Sequence, residues 1–406
     1  MEHIKAIRGF DDIFFEETKK FRYITDTFRK LFEVYNFEEI ILPIVEYKEL
    51  FDRSVGEVTD IVQKEMFVFE DKSKRLLTLR PEGTAGVVRS VVEHGLLYKK
   101  PFLKLFYEGP MFRYERPQSG RKRQFHQIGC EVLGLDSPIA DFEIINLCFD
   151  AFKKLNIDIT LEINSIGCPV CRPKYREALT NYLKDIEGLC KDCEERRFKN
   201  PLRILDCKVE TCKDLTKEAP IMLDYLCEDC SNHYKSLKIY LDSFGIPYKE
   251  NPRLVRGLDY YTKTVFEFVK DNLTLLAGGR YDNLVESLGG PKTPAVGFAA
   301  GIERIMLFLK SQYKEELYAV VYIENTVLEA LEALKVANIL REKGKRVELI
   351  SKGSNLKKKL EIADKLHASY TLIIGPEELK KGIYILKNMS TKEQQKIGDL
   401  ESLFNA

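Results

Sequence analysis

At 406 residues the chain is longer than a single domain usually runs, so two or three domains are expected. With 44% hydrophobic residues it can bury sizeable cores, and a net charge of +1 argues against a histone-like or acidic-tail protein, so any nucleic-acid contact must come from local basic patches. No apolar run follows a basic start at Met1–Lys5, and nothing approaches about eighteen consecutive apolar residues, which predicts a cytoplasmic protein with no signal peptide and no membrane span.

Residues 12–35 place Phe14, Phe21, Ile24, Phe28, Leu31, Phe32 and Tyr35 at helical spacing, the pattern of an amphipathic helix. Glu38–Val45 reads as a strand broken by Pro43, which belongs at a sheet edge or a subunit boundary. Met66–Phe69 and Leu76–Leu79 alternate around a polar turn as a hairpin. Arg80-Pro-Glu-Gly-Thr84 then opens a helix over Ala85–Gly95, with Pro81 at an ordinary helix start. Glu82 beside it is either a carboxylate complementing the helix dipole or a ligand group.

The densest chemistry lies in the next hairpin, with strands over Phe102–Arg113 and Gln124–Leu135 and Pro117, Ser119 and Gly120 in its loop. Arg113, Arg116, Arg121, Lys122 and Arg123 fall within eleven residues. Arginine suits bidentate phosphate contact. Glu115, Gln127 and Glu131 add acceptors, and Phe125 sits among them where a solvated edge would more simply use Lys and Glu.

Ser137 is a plausible N-cap for a helix reaching about Lys154, and Ile157–Asn164 alternates as a strand. Antiparallel-type strands with helices alongside give an α+β fold rather than a doubly wound one. Neither G-x-G-x-x-G nor a P-loop pattern occurs, so ATP, if bound, is held another way.

Residues 168–230 bring four cysteine pairs: Cys168/Cys171, Cys190/Cys193, Cys207/Cys212 and Cys227/Cys230. The first two make C-x2-C-x18-C-x2-C, a spacing that lets four thiolates converge on one structural Zn2+. The other reading is that these are small buried hydrophobes. Cys207/Cys212 has a wider gap, which makes a second quartet the weaker expectation.

Regular structure resumes with a helix over His233–Phe244, a strand over Thr264–Phe268 and a partner at Leu273–Ala277. Ala295–Arg304 reads as a strand entering a helix through Gly301. Arg304 would then lie in the first turn, against the helix dipole, and such rule-breaking points to a ligand-facing role. Residues 311–317 look like a linker. Strands at Tyr318–Ile323, Arg346–Ile350, Tyr370–Ile374 and Gly382–Lys387 alternate with helices at Thr326–Lys343 and Leu356–Leu366, a separate small α/β domain ending in Lys392–Phe404. This domain is slightly more basic than the rest, and Lys357-Lys-Lys359 reads as a solvated helix face.

Separated arginines, carboxylates, glycine turns and tyrosines, without a Ser-His-Asp set, suit phosphoryl or nucleotidyl transfer driven by positioning and charge. The motifs carry a family resemblance. FRYERPQSGRKRQFHQIGCE closely resembles motif 2 of histidyl-tRNA synthetases, within the class II aminoacyl-tRNA synthetases. LVRGLDYYTKTVFEF and AGGRYD resemble that family's histidine signatures, AVGFAAGIER resembles motif 3, and YNFEEIILPIVE resembles the dimer-forming motif 1. The resemblance spans essentially the whole chain. Asn36 and Tyr114 depart from the family's usual residues, at positions peripheral to the chemistry.

The resemblance implies a catalytic domain on an antiparallel sheet (residues 1–167 and 236–312), a Cys-rich insertion (168–235) and an anticodon-binding domain (318–406). It implies a homodimer that joins L-histidine to tRNA(His) using ATP with Mg2+. Arg113 would hold the α-phosphate, Arg304 the distal phosphates with Arg121 assisting, Phe125 would stack on adenine and Glu115 lie near its amino group. Arg256 would bind both the histidine carboxylate and the α-phosphate. Glu82, Gly83, Thr84 and Gln127 would grip the α-amino end, while Glu131, Tyr260, Tyr261 and Tyr281 would read the imidazole. Arg116 and Gln118 would meet the tRNA end. One rival is the family's non-catalytic paralogue, the histidine-binding regulatory subunit of ATP phosphoribosyltransferase. Another is a zinc-ribbon nucleic-acid adaptor, which leaves the histidine signatures without purpose.

Overall fold

The structure, a computed structural model, describes residues 3–56, 59, 61–310, 316–323, 326–398 and 400. The chain divides into two units, Met1–Ser311 and Gln312–Ala406. The first is α+β and is built on an eight-stranded sheet in the order Glu38–Glu39, Leu103–Phe112, Gln124–Leu133, Ala295–Gly301, Leu273–Arg280, Thr262–Lys270, Thr160–Ser165 and Tyr248–Glu250. Only the two edge pairings are parallel.

Register explains what the sheet is for. Glu131 lies opposite Leu105 on one side and Gly297 on the other, and Gly297 lies opposite Gly279. Opposed residues share a face, and strand alternation puts Phe125, Gln127 and Gly129 on the face of Glu131. That face continues through Gly301, Ala299 and Gly297 into Ala277 and Gly279. It is a polar floor cleared of side-chain bulk. The opposite face carries Phe106, Ile128, Cys130, Phe298, Leu276, Phe266 and Phe268 in the main core, against the helices Glu16–Val34 and Pro138–Lys154. Phe32 stacks on Phe106 at 4.7 Å between ring centroids. Burying each such aromatic contributes on the order of 2–3 kcal/mol, which is what holds the floor rigid.

Several expected elements are shifted for visible reasons. The first helix starts at Glu16 because Phe15 sits at φ 53°, outside right-handed helical space. The expected Glu38–Val45 strand splits into Glu38–Glu39 and Val45–Tyr47, because the Arg80 guanidinium takes the Leu42 and Pro43 carbonyls at 2.9 and 3.3 Å. Ser137 does cap its helix, its hydroxyl accepting the Ile139 N–H at 3.2 Å.

The Cys-rich segment corrects the expected quartet. Cys168 and Cys171 do not meet Cys190 and Cys193. They converge with Cys227 and Cys230, and Cys190 and Cys193 converge with Cys207 and Cys212. The reason is the helix Glu228–Ser243, which starts earlier than expected and brings Cys227 and Cys230 at its start back beside the loop that follows Thr160–Ser165.

The second unit is α/β, with a five-stranded sheet in the order Arg346–Ile350, Leu317–Tyr322, Tyr370–Ile374, Tyr384–Asn388, Gln394–Ile397. The first three strands are parallel and the last two antiparallel. Leu317 already belongs to a strand, and residues 311–315 of the expected linker lie outside the described residues, as does most of 399–404. The solvated reading of the lysine run fails at Lys359, which is buried, donates to the Tyr322 carbonyl at 3.0 Å and lies 3.6 Å from that ring's centroid. Its long stem and aromatic partner make burial of the charge tolerable.

Candidate active site

Two clusters of predicted residues occupy the two ends of the polar floor. At the inner end, Glu131 is fully buried and its carboxylate accepts from the Thr84 hydroxyl at 2.7 Å and from the Tyr281 hydroxyl. Tyr281 packs edge-on against Tyr260 at 5.6 Å, and Tyr260 lies 4.7 Å from Tyr261. Burial pushes the Glu131 carboxyl up to about 8, against the pull of the Tyr281 and Thr84 hydrogen bonds. Glu82 is also buried and raised by burial, while its oxygens accept the Thr84 and Ala85 amides at 2.8 and 2.9 Å. The dipole-complementing reading of Glu82 therefore describes its local structure at the start of the Thr84–Glu93 helix, and the same bonds fix Thr84 against Glu131.

Glycine makes this end possible. A Cβ on Gly297 would fall 1.8 Å from Glu131 Oε2, and one on Gly83 would fall 2.2 Å from the Tyr107 ring. Tyr107 was not singled out in the sequence. It is buried on the same face, opposite Gly129, and alternation with Leu105 and Gly109 was the signal for it.

At the outer end, the Arg113 guanidinium lies 5.3 Å from the Phe125 ring centroid, donates to the Pro81 carbonyl at 2.9 Å and approaches Glu115 at 4.0 Å. Arg121 meets Glu115 at 3.4 Å. Arg304 does not point along its own helix. It turns back to donate to the Gly120 carbonyl at 3.0 Å and the Thr274 carbonyl at 2.9 Å, beneath the hairpin tip. Burial and the neighbouring Arg121 and Arg113 charges together lower the Arg304 pKa. Three guanidiniums gathered this closely repel one another, and a polyanion relieves that repulsion. Arg116 and Gln118 are exposed at the tip, where Gln118 and Arg121 close a turn through paired 2.9 Å backbone bonds.

Arg256 reaches between the two ends. It ion-pairs with Glu267 and stacks 5.4 Å from the Tyr261 centroid, while Glu267 also accepts from the Thr274 hydroxyl at 2.8 Å. Arg256 Nε and Gln127 Oε1 are buried with no hydrogen-bond partner among the described residues. Buried polar atoms are normally paired, so bare ones on a polar floor point to a ligand.

Two supports escaped the sequence reading. His126 is clasped by Glu303, which accepts its backbone N–H at 2.9 Å and meets its Nδ1 at 2.8 Å, tying the hairpin to the Ile302–Met306 helix. Arg280, in the AGGRYD segment, is fully buried and paired with Asp141, which also faces His233 at 3.3 Å. Burial raises the Asp141 pKa, but the Arg280 charge and the His233 bond outweigh it and hold the carboxyl well below the usual range. The pair fixes the strand at the residue next to Tyr281.

The family model for histidyl-tRNA synthetase matches residues 9–305, and that for an anticodon binding domain matches residues 318–405. The chain is similar to the histidine–tRNA ligase of Aquifex aeolicus (strain VF5), 58% identical over 400 residues, covering 97% of this chain and 98% of that one. It is 49% identical to the histidine–tRNA ligase of Thermodesulfovibrio yellowstonii, covering 96% and 94%. Among solved structures, the apo S. aureus histidyl-tRNA synthetase superposes with a TM-score of 0.79 at 37% identity, over 99% and 98% of the chains. A Bacillus halodurans ATP phosphoribosyltransferase regulatory subunit/histidyl-tRNA synthetase, 22% identical with a TM-score of 0.68, shares the fold. Matched over both units and across nearly its full length, the chain belongs to the histidyl-tRNA synthetase family.

Proposed function

We propose that the chain is a histidine–tRNA ligase that activates L-histidine with ATP and transfers it to tRNA(His). The observation that carries this reading is the single floor on which an arginine cluster and a buried, hydroxyl-bonded carboxylate stand at opposite ends, bridged by Arg256.

The nucleotide, bringing Mg2+ on its phosphates, lies at the outer end. Phe125 stacks on adenine, Glu115 faces its amino group, Arg113 holds the α-phosphate and Arg121 and Arg304 the distal ones. Histidine enters the inner end, where Glu82, Thr84 and the bare Gln127 Oε1 take its α-ammonium, with Gly83 leaving room for the Tyr107 wall. Glu131, oriented by Tyr281 and Thr84 and walled by Tyr260 and Tyr261, reads the imidazole nitrogens. A histidine carboxylate oxygen attacks the α-phosphorus, and the bond to the bridging oxygen breaks as pyrophosphate leaves. Arg256 and Arg113 hold the charge on the α-phosphate oxygens without reorganising. A terminal ribose hydroxyl of tRNA then attacks the adenylate carbonyl, and AMP leaves. Because the pocket pairs its substrate's polar groups, analogues lacking them are rejected by ~10⁴ or more, and no editing step is needed.

Arg116 and Gln118 meet the tRNA end, and the C-terminal unit takes the anticodon. The active form is a homodimer in the cytoplasm. Supporting it, Ile41, Ile44, Val45, Tyr47, Phe69 and Leu76 leave a band of large apolar side chains exposed along the motif 1 edge and the small sheet of Val45–Tyr47, Leu76–Leu79 and Val68–Glu70. The non-catalytic regulatory reading is disfavoured by the intact set Arg113, Arg121, Arg256 and Arg304 and by the second unit. Charging of a tRNA(His) transcript with labelled histidine tests the assignment. Acid-stable, tRNA-linked histidine formed only with ATP is expected, and histidine binding without charging returns the regulatory reading.

A further inference from the structure

We propose that the Cys-rich module holds two structural zinc ions, one in Cys168, Cys171, Cys227 and Cys230 and one in Cys190, Cys193, Cys207 and Cys212, and that the first ion positions the Tyr261 segment of the histidine pocket.

In each quartet the four sulfurs all lie within 4.8 Å of one another. Among these, Cys168–Cys171 lies at 3.6 Å, Cys168–Cys227 at 3.8 Å and Cys190–Cys207 at 3.9 Å. A tetrahedron with Zn–S bonds of about 2.3 Å has edges of about 3.8 Å, whereas a disulfide needs about 2.05 Å. The spacing is that of a metal cage and not of bonded sulfurs. Backbone amides already face the cage sulfurs: Cys227 N–H donates to Cys171 Sγ at 3.1 Å and Cys190 N–H to Cys212 Sγ at 3.2 Å. Such bonds offset thiolate charge and fix the ligands' orientation.

Burial alone does not account for this. Cys130 and Cys148 are buried singly in the main core and join no such group among the described residues, as small hydrophobes do. The module's eight cysteines converge in two fours and line the small core they share with Tyr175, Leu179 and Leu183. A module this size has little apolar area to offset its chain entropy, and metal binding supplies folding energy directly.

The two sites differ in what they hold. The first joins the module's entry, Cys168 and Cys171, to its exit, Cys227 and Cys230, so it closes the whole insertion as one loop. Its ligands are also wired to the histidine pocket. Arg172, next to Cys171, donates to the Tyr261 carbonyl, and Lys263 N–H donates to the Gly167 carbonyl at 2.9 Å. The second site lies wholly within the module.

The test is metal analysis of freshly purified, reduced full-length protein. Two zinc ions per chain are expected, falling to one in Cys227→Ser/Cys230→Ser and to one in Cys207→Ser/Cys212→Ser. Cobalt replacement should give the visible absorption of tetrahedral thiolate. Fewer than two metals in the unaltered chain, iron in place of zinc, or a Cys207→Ser/Cys212→Ser protein that keeps the full count overturns the two-site assignment. The positioning claim rests on the histidine reading above, whereas the metal count does not, so the two fail separately. Loss of the first zinc should raise the KM for histidine in pyrophosphate exchange about tenfold with kcat little changed, and loss of the second should leave that KM within about twofold. Equal effects on KM, or none, remove the positioning role and leave the metals in place.

Discussion

The two ends of the motif hairpin solve opposite problems with the same strands. At the inner end a carboxyl is buried and fixed by neutral hydroxyls, tyrosine walls and glycines that leave no slack. At the outer end partly exposed guanidiniums are gathered against their own repulsion, braced by backbone carbonyls at Pro81, Gly120 and Thr274. The first arrangement discriminates among ligands, because a wrong one strands buried polar groups. The second, in the proposed reaction, attracts charge and stabilises it wherever it shifts along a polyphosphate. In the proposed reaction specificity and rate are separated along one hairpin, and substitutions should separate them too.

The largest effect is expected where the ends meet. Arg256→His should lower turnover by ~10³ while changing the KM for histidine only a few-fold, the signature of a transition-state interaction. Steady-state pyrophosphate exchange reads both, and unchanged turnover would take Arg256 out of the chemistry. At the inner end, Glu131→Gln should raise the KM for histidine by about 10² with a smaller loss in kcat.

Glu131 also sets a pH dependence. Its folded-state pKa, about 8, lies above its unfolded value, so its stability contribution is complete below the unfolded pKa and lost as pH rises through about 8. Histidine binding runs the other way, because accepting an imidazole N–H needs the ionised carboxylate. The KM for histidine should fall several-fold between about pH 7 and 8.5, where free imidazole is already neutral. Glu131→Gln should flatten that profile, and a parallel slope in the variant would assign the titration elsewhere.

Gly297→Ala asks whether the clearance is needed. A methyl 1.8 Å from Glu131 Oε2 must displace the carboxyl, so a loss of about 1–3 kcal/mol in urea unfolding is expected, with a raised KM for histidine and an unaltered KM for ATP. The smallest effect is ionic: adding salt should weaken ATP binding a few-fold and leave histidine binding nearly unchanged.

The polar floor was legible because alternation is strict. Phe125, Gln127, Gly129 and Glu131 at every second position, beside AVGFAAG and AGG, encode a polar face opened by small residues. What was not legible depended on partners far away in sequence. The His126–Glu303 clasp and the Arg280–Asp141 pair join residues more than a hundred apart, and no local pattern pairs them. The cysteine pairing failed for a related reason. Nearest-neighbour spacing favoured Cys168/Cys171 with Cys190/Cys193, while the true partner of the first pair returns only on the Glu228–Ser243 helix. Lys359 was misread because a lysine run gives no hint that one stem lies on Tyr322.

The most direct test of the central claim, that ATP and histidine meet on one hairpin, is amino-acid-dependent ATP–pyrophosphate exchange across the twenty amino acids. The account predicts exchange with histidine alone, lowered by about 10³ in both Arg113→Gln and Arg256→His. Exchange without an amino acid, exchange supported by a different one, or full exchange in either variant would contradict it.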